Sequence, residues 1–294
     1  MASGPVTLAE AQERFQREAV RGVIDTGRYR AAYYSWGEGP PLTFIHGLGD
    51  NSRAFLLPVA RLSHHFRCVA YDLPTGRGDG ARLRGYSHAD LTADLFAVLD
   101  HLGLRQSYVC GSSFGSTVAL AALKERPERL PRGILQGGFA RRPLAGAEKW
   151  LARLARFLPG TMARLPLREK ALERGHRGPF AAAPEGVWEH FLRHTGETGI
   201  ATLARHALLL HRTDLRPILK EVRQPVLLIC GDRDPLVRKE HEEVLLAGLP
   251  NAGRVEIENC GHFPYFSHPD VLAEVVRQFL TPARTNGERG ASAP

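Results

Sequence analysis

Residues 106–126 read QSYVCGSSFGSTVALAALKER, and this stretch decides the fold. Gln106–Cys110 is a short apolar run of strand type. Phe114–Arg126 has helical spacing and is stopped by Pro127. Between them lies Gly111-Ser112-Ser113-Phe114-Gly115, a G-x-S-x-G. A serine on so sharp a strand-to-helix turn occupies strained backbone that bulky neighbours would obstruct. The turn lifts Ser113 above the sheet edge, and the helix N-terminus behind it favours developing negative charge.

Outward from this turn the pattern repeats. Arg28–Trp36, Pro41–His46, Phe66–Asp72, Gly133–Gln136, Gln224–Cys230 and Arg254–Glu258 read as further strands. Helices are predicted over Leu8–Arg21, Ser52–Leu62, Leu236–Leu249 and Pro269–Leu280. Another starts at Ser87, with Asp90 in capping-box position, and runs through Gly103. Continuous apolar strands alternating with helices predict a mostly parallel sheet covered on both faces, the opening strands being antiparallel additions at one edge. The alternation breaks between Arg141 and Arg216, a helix-like stretch interrupted by five prolines. The expected division is a core over 1–140 and 217–280, a helical insertion over 141–216, and a disordered polar tail over 281–294.

A serine hydroxyl is a weak nucleophile without a general base, and the base needs an orienting acid. Gly231-Asp232-Arg233-Asp234-Pro235 follows one apolar strand, and Cys260-Gly261-His262-Phe263 follows another. Both stand at carboxyl ends of strands, the edge where Ser113 sits and where open α/β sheets build sites. Ser113, Asp234 and His262 are therefore the predicted nucleophile, orienting acid and base. Asp232 is left as a cap or supporting carboxylate, and His268 as the cap of the final helix. An acyl-transfer intermediate also needs two donors for its oxyanion. The amides of Phe114 and of Leu48, in His46-Gly47-Leu48-Gly49-Asp50, are the candidates, with His46 bracing that loop.

With HGLGD, YDLP, GSSFG, GDRDPLV and GHFPYFSHP, the chain resembles the α/β-hydrolase superfamily over nearly its whole length. Within it, the likeness is to capped serine hydrolases of the esterase, carbon–carbon hydrolase and perhydrolase groups. The resemblance implies an eight-stranded, mostly parallel sheet flanked by helices, with 141–216 as a cap over the active site. Two departures stand out. The elbow ends Gly115-Ser116 where many relatives have two glycines, and the segment after YDLP (TGRGDGARLRG) is long and basic. Serine at 113 argues against the epoxide-hydrolase and dehalogenase branches, which use an aspartate there.

The predicted activity is hydrolysis of small-molecule carboxylic esters through an acyl-enzyme, without metal or organic cofactor. Carbon–carbon bond hydrolysis, perhydrolysis or acyl transfer by the same triad is the alternative. A receptor-like binding protein with little turnover is the third reading.

Composition narrows the partners. The net charge of +8 comes from 39 basic and 31 acidic residues, and only five of the basic ones are lysine. They are scattered, with none of the aromatic interleaving of nucleic-acid modules, so an arginine-biased composition is the better reading and no nucleic-acid partner is expected. Within 141–216 there are 14 basic and 7 acidic residues. These charges can face solvent or attract anionic substrates. Lys149–Leu158 sets Trp150, Leu151, Leu154, Phe157 and Leu158 on one face. That face is expected to pack down onto the pocket rather than dock on a membrane as in lipases, and no stable membrane association is expected. Cys68, Cys110, Cys230 and Cys260 show no metal spacing and read as free buried thiols. With no apolar segment near the start, they suggest a cytoplasmic protein acting on a small molecule.

Overall fold

The computed structural model describes residues 6–281. Eight strands form one sheet: β1 (Val20–Asp25), β2 (Arg30–Trp36), β3 (Pro41–Ile45), β4 (Arg67–Tyr71), β5 (Tyr108–Ser112), β6 (Gly133–Gln136), β7 (Val226–Gly231) and β8 (Ala252–Ile257). Their spatial order is β1-β2-β4-β3-β5-β6-β7-β8. β2 runs antiparallel to both β1 and β4, and every other pair is parallel. The antiparallel edge agrees with the sequence. All residues of β6 and β7 are buried, as helices on both faces require.

The helices are α1 (Leu8–Glu18), α2 (Leu56–Leu62), α3 (His88–His101), α4 (Phe114–Glu125), α5 (Gly146–Ala155), α6 (Arg168–His176), α7 (Val187–Gly196), α8 (Ile200–Arg212), α9 (Lys239–Gly248), α10 (Pro264–Ser267) and α11 (Pro269–Leu280). The predicted first helix, Leu8–Arg21, ends at Glu18, and the chain turns into β1. This strand escaped prediction because only Ile24 of its six residues is buried, so it has no apolar run to announce it. Ser87 and Asp90 form the expected capping box on α3. His268 stands at the start of α11, but its side chain caps nothing. Its Nδ1 instead pairs with the Ser267 hydroxyl at 2.9 Å.

Between β6 and β7 the chain forms α5 to α8. An aromatic seam fastens this insertion to the sheet region: Phe191 of α7 packs on Phe263 and on Phe266 of α10, with centroids 4.9 and 5.4 Å apart. Each such pair contributes about 1 kcal/mol beyond its buried area. The basic loop after β4 is a second seam. Arg77 donates to the Gly160 carbonyl, and the Thr202 hydroxyl of α8 donates to the Thr75 carbonyl at 2.6 Å.

One expectation fails here. The apolar side of α5 does not pack inward: Trp150, Leu151, Leu154, Phe157 and Leu158 are all at least half exposed. The inward side is built from small residues, with Ala152 and Ala155 against Ala204 and Leu208 of α8. Small side chains let the two helices approach closely, which leaves the bulky ones outside. The polar tail assigned to 281–294 lies outside the described residues from 282 onward. All four cysteines are buried and free.

Candidate active site

Ser113 joins β5 to α4 with φ 50° and ψ −115°, a left-handed conformation that costs a non-glycine residue about 1–3 kcal/mol. The flanking glycines make this turn possible by absence of a side chain. A Cβ on Gly111 would lie 2.3 Å from the Gly115 carbonyl oxygen, and one on Gly115 would lie 2.2 Å from that of Ile45. Hydrogen bonds then hold the elbow. The Ser113 amide donates to the Gln136 carbonyl at 2.8 Å, and the Ser116 hydroxyl donates to the Ser113 carbonyl at 2.5 Å. Ser116 thus braces the turn from within the buried start of α4.

His262 and Asp234 meet beside this elbow. The Asp234 loop leaves β7 and the His262 loop leaves β8, both at the sheet edge that carries Ser113. The His262 Nδ1–H donates to Asp234 Oδ2 at 2.7 Å, with both side chains almost wholly buried. The other carboxylate oxygen accepts from the amides of Leu236 and Val237 at 2.7 and 3.0 Å. Burial alone would raise the Asp234 carboxyl. The hydrogen bond and charge of His262, with those two amides, outweigh burial and hold it below the ordinary carboxylate range. The acid is therefore ionised, and its partner keeps the proton on Nδ1, which leaves Nε2 to accept one. Asp232 is exposed and separate, its Oδ1 accepting from the Cys260 amide at 2.9 Å.

The β3 loop closes the site from the other side. The Leu73 amide donates to His46 Nε2 at 2.9 Å, so His46 carries its proton on Nδ1 and donates to the Gly47 carbonyl. This is the bracing geometry the sequence suggested. A Cβ on Gly47 would lie 3.2 Å from that of Ser113, so the loop passes directly over the elbow. Among the described residues, the amides of Leu48 and Phe114 have no hydrogen-bond partner. Both remain available to a ligand oxygen.

Three residues missed by sequence reasoning complete the surroundings. Gln136, at the end of β6, accepts from the Ser112 hydroxyl at 2.5 Å and donates to the His262 carbonyl at 3.2 Å. It ties the elbow to the histidine loop; its one sequence signal is an amide side chain ending an apolar strand. Asp50 is buried and joined to His194 Nε2 of α7 at 2.5 Å and to the Tyr265 hydroxyl at 2.8 Å. His206 of α8 is buried with its ring stacked on Phe114, centroids 5.4 Å apart, and its Nε2 has no partner among the described residues. Burial, then the nearby His46, push its imidazole down to about 4, against weaker opposition from the Pro74 carbonyl and Asp79. It lines two cavities. One, of about 280 Å³, runs along the β3 loop; the other, of about 610 Å³, lies between the insertion and residues 83–88 and is rimmed by Arg84, Arg156, Arg205 and Arg212.

This site stands in a chain with many relatives. The chain is 31% identical over 240 residues to the pimeloyl-[acyl-carrier protein] methyl ester esterase of Nitrosomonas europaea, covering 80% of this chain and 93% of that one. It is 28% identical to a 2-hydroxymuconate semialdehyde hydrolase of Pseudomonas putida, over 90% and 95% of the two chains. Among solved structures, a hydrolase from Pseudomonas aeruginosa superposes with a TM-score of 0.74 at 25% identity, covering 89% of this chain and 98% of that one. A model of the alpha/beta hydrolase family matches residues 44–275. With this match over most of its length and the eight-stranded sheet around it, the chain belongs to the alpha/beta hydrolase family.

Proposed function

We propose that the protein is a serine hydrolase of small-molecule carboxylic esters. The observation that carries this reading is the buried Asp234–His262 pair, 2.7 Å apart, on the same sheet edge as the strained Ser113 elbow. Ser113 Oγ attacks the ester carbonyl while its proton passes to His262 Nε2. The oxyanion that forms is held by the amides of Leu48 and Phe114. Collapse breaks the bond to the alcohol, which leaves with the proton from His262. Water then attacks the acyl-serine by the same route and releases the acid. Asp234 stabilises the imidazolium and fixes its tautomer, and the steps need only side chains and amides.

Residues 141–216 serve in this reading as the cap. The ring of His206 against Phe114 and the His194–Asp50 bond support that assignment. Four buried thiols suit a reducing cytosol, where we place the protein.

The test is turnover of p-nitrophenyl esters of increasing chain length by wild type and Ser113→Ala. Loss of about 10³-fold or more in the variant is expected, together with loss of fluorophosphonate labelling. Wild-type turnover by Ser113→Ala would refute the assignment. Carbon–carbon bond hydrolysis is the second reading, favoured by the likeness to the Pseudomonas putida hydrolase. A ring-fission dienoate run beside the esters separates the two by kcat/KM.

A further inference from the structure

Helix α5 and the turn after it expose an apolar surface that no other described residue covers. Trp150 is 60% exposed, Leu151 59%, Leu154 50%, Phe157 70% and Leu158 50%. Ala152 is the one buried residue of α5. Leu167, 71% exposed, adds to the same stretch. The flanking charge is mainly basic. From Lys149 to Leu167 there are four basic side chains and no acid, and Glu148 and Glu169 bound the stretch. Glu148 is engaged in capping the helix, where its carboxylate accepts from the Ala145 amide at 2.9 Å.

Three occupants could cover such a surface. The residues outside the described range, 1–5 and 282–294, contain Met1 as their only large apolar side chain and offer nothing to bury there. A second copy on a two-fold axis would bring the same patch against itself, four basic residues facing four. An anionic lipid surface meets both halves of the pattern. Trp, Phe and Leu on one side with Lys and Arg on the other is the composition of a helix lying in the bilayer interface, apolar side at the headgroup–acyl boundary and basic side among anionic headgroups.

We propose that α5 docks the protein on anionic membrane surfaces. The inward packing expected of this face, which was the ground for expecting no membrane association, is overturned by its exposure. Since α5 packs on α8, and α8 carries His206 against Phe114, docking sets the insertion rather than the far edge of the sheet against the leaflet.

The test is flotation of the full chain with vesicles of phosphatidylcholine alone and with about 30% phosphatidylglycerol, at low and high salt. Wild type should bind the anionic vesicles at least about tenfold better than the neutral ones and lose most of that binding at high salt. Trp150→Asp/Phe157→Asp should weaken binding about tenfold or more. Arg153→Gln and Arg164→Gln should each weaken it about fivefold. All four residues are exposed, so circular dichroism should show an unchanged fold. Equal binding to both vesicle types, or full binding by the double Asp variant, would overturn the proposal. So would a wild-type dimer that the double Asp variant splits while neither protein binds vesicles, which would assign the face to a second copy. Binding needs no turnover, so Ser113→Ala protein must behave as wild type. Failure here is thus distinct from failure of the hydrolase reading.

Discussion

Lowering the pH should weaken this fold through His206, and the size of the effect follows from its burial. The imidazole sits at about 4 in the folded protein against an ordinary 6.5, burial being the main cause and nearby His46 the next. The unfolded chain therefore takes up a proton that the folded chain refuses. Stability from this residue is complete above about pH 6.5 and declines as the pH falls toward about 4. The linkage gives a loss of about 2 kcal/mol by pH 5 and about 3 kcal/mol at full protonation. The assay is urea unfolding of wild type and His206→Phe at pH 7.5 and pH 5. Phenylalanine keeps a ring on Phe114 and does not titrate. His88 and His190, also pushed down to about 4 chiefly by burial, titrate in both proteins and cancel in the difference. The variant should lose about 2 kcal/mol less than wild type between the two pH values. Equal losses would refute the reasoning, because they would show that His206 protonates in the folded state at no cost.

Other perturbations test the site. Asp234→Asn should lower kcat about 10⁴-fold with the fold intact, the size seen when a triad acid loses its charge, whereas Asp232→Asn should change kcat little; the reverse result would reassign the acid. Gly115→Ala pushes a Cβ to 2.2 Å from the Ile45 carbonyl and should cost about 3 kcal/mol, read as a lowered thermal midpoint; an unshifted midpoint would mean the elbow gives way freely. Asp50→Ala strands the buried His194 and Tyr265 side chains and should cost about 3 kcal/mol in urea unfolding.

What the sequence disclosed and what it hid have physical reasons. The strands buried on both faces, β3 to β7, are continuous apolar runs and can be read directly. β1 is exposed along most of its length, contains Gly22, and merges into the helix before it. The triad candidates were readable because each follows a recognisable strand within a few residues. The Asp50–His194–Tyr265 cluster draws on positions 144 and 215 residues apart, so no local pattern could reveal it. The orientation of α5 was hidden for another reason. Periodicity shows that a helix has an apolar side, whereas the direction of that side depends on its partner, here the alanine contact with α8.

The Asp50–His194 bond has a consequence for protein engineering. It crosses from the β3 loop to the insertion, so the two were fitted to each other as a lock is to its key. A chimera that trades residues 141–216 for the equivalent segment of a relative will leave Asp50 facing Tyr265 alone unless the donor supplies an imidazole at the right turn of its helix. Transplants in this scaffold should therefore be chosen by whether they carry a match for Asp50, or be made together with its replacement by an uncharged residue.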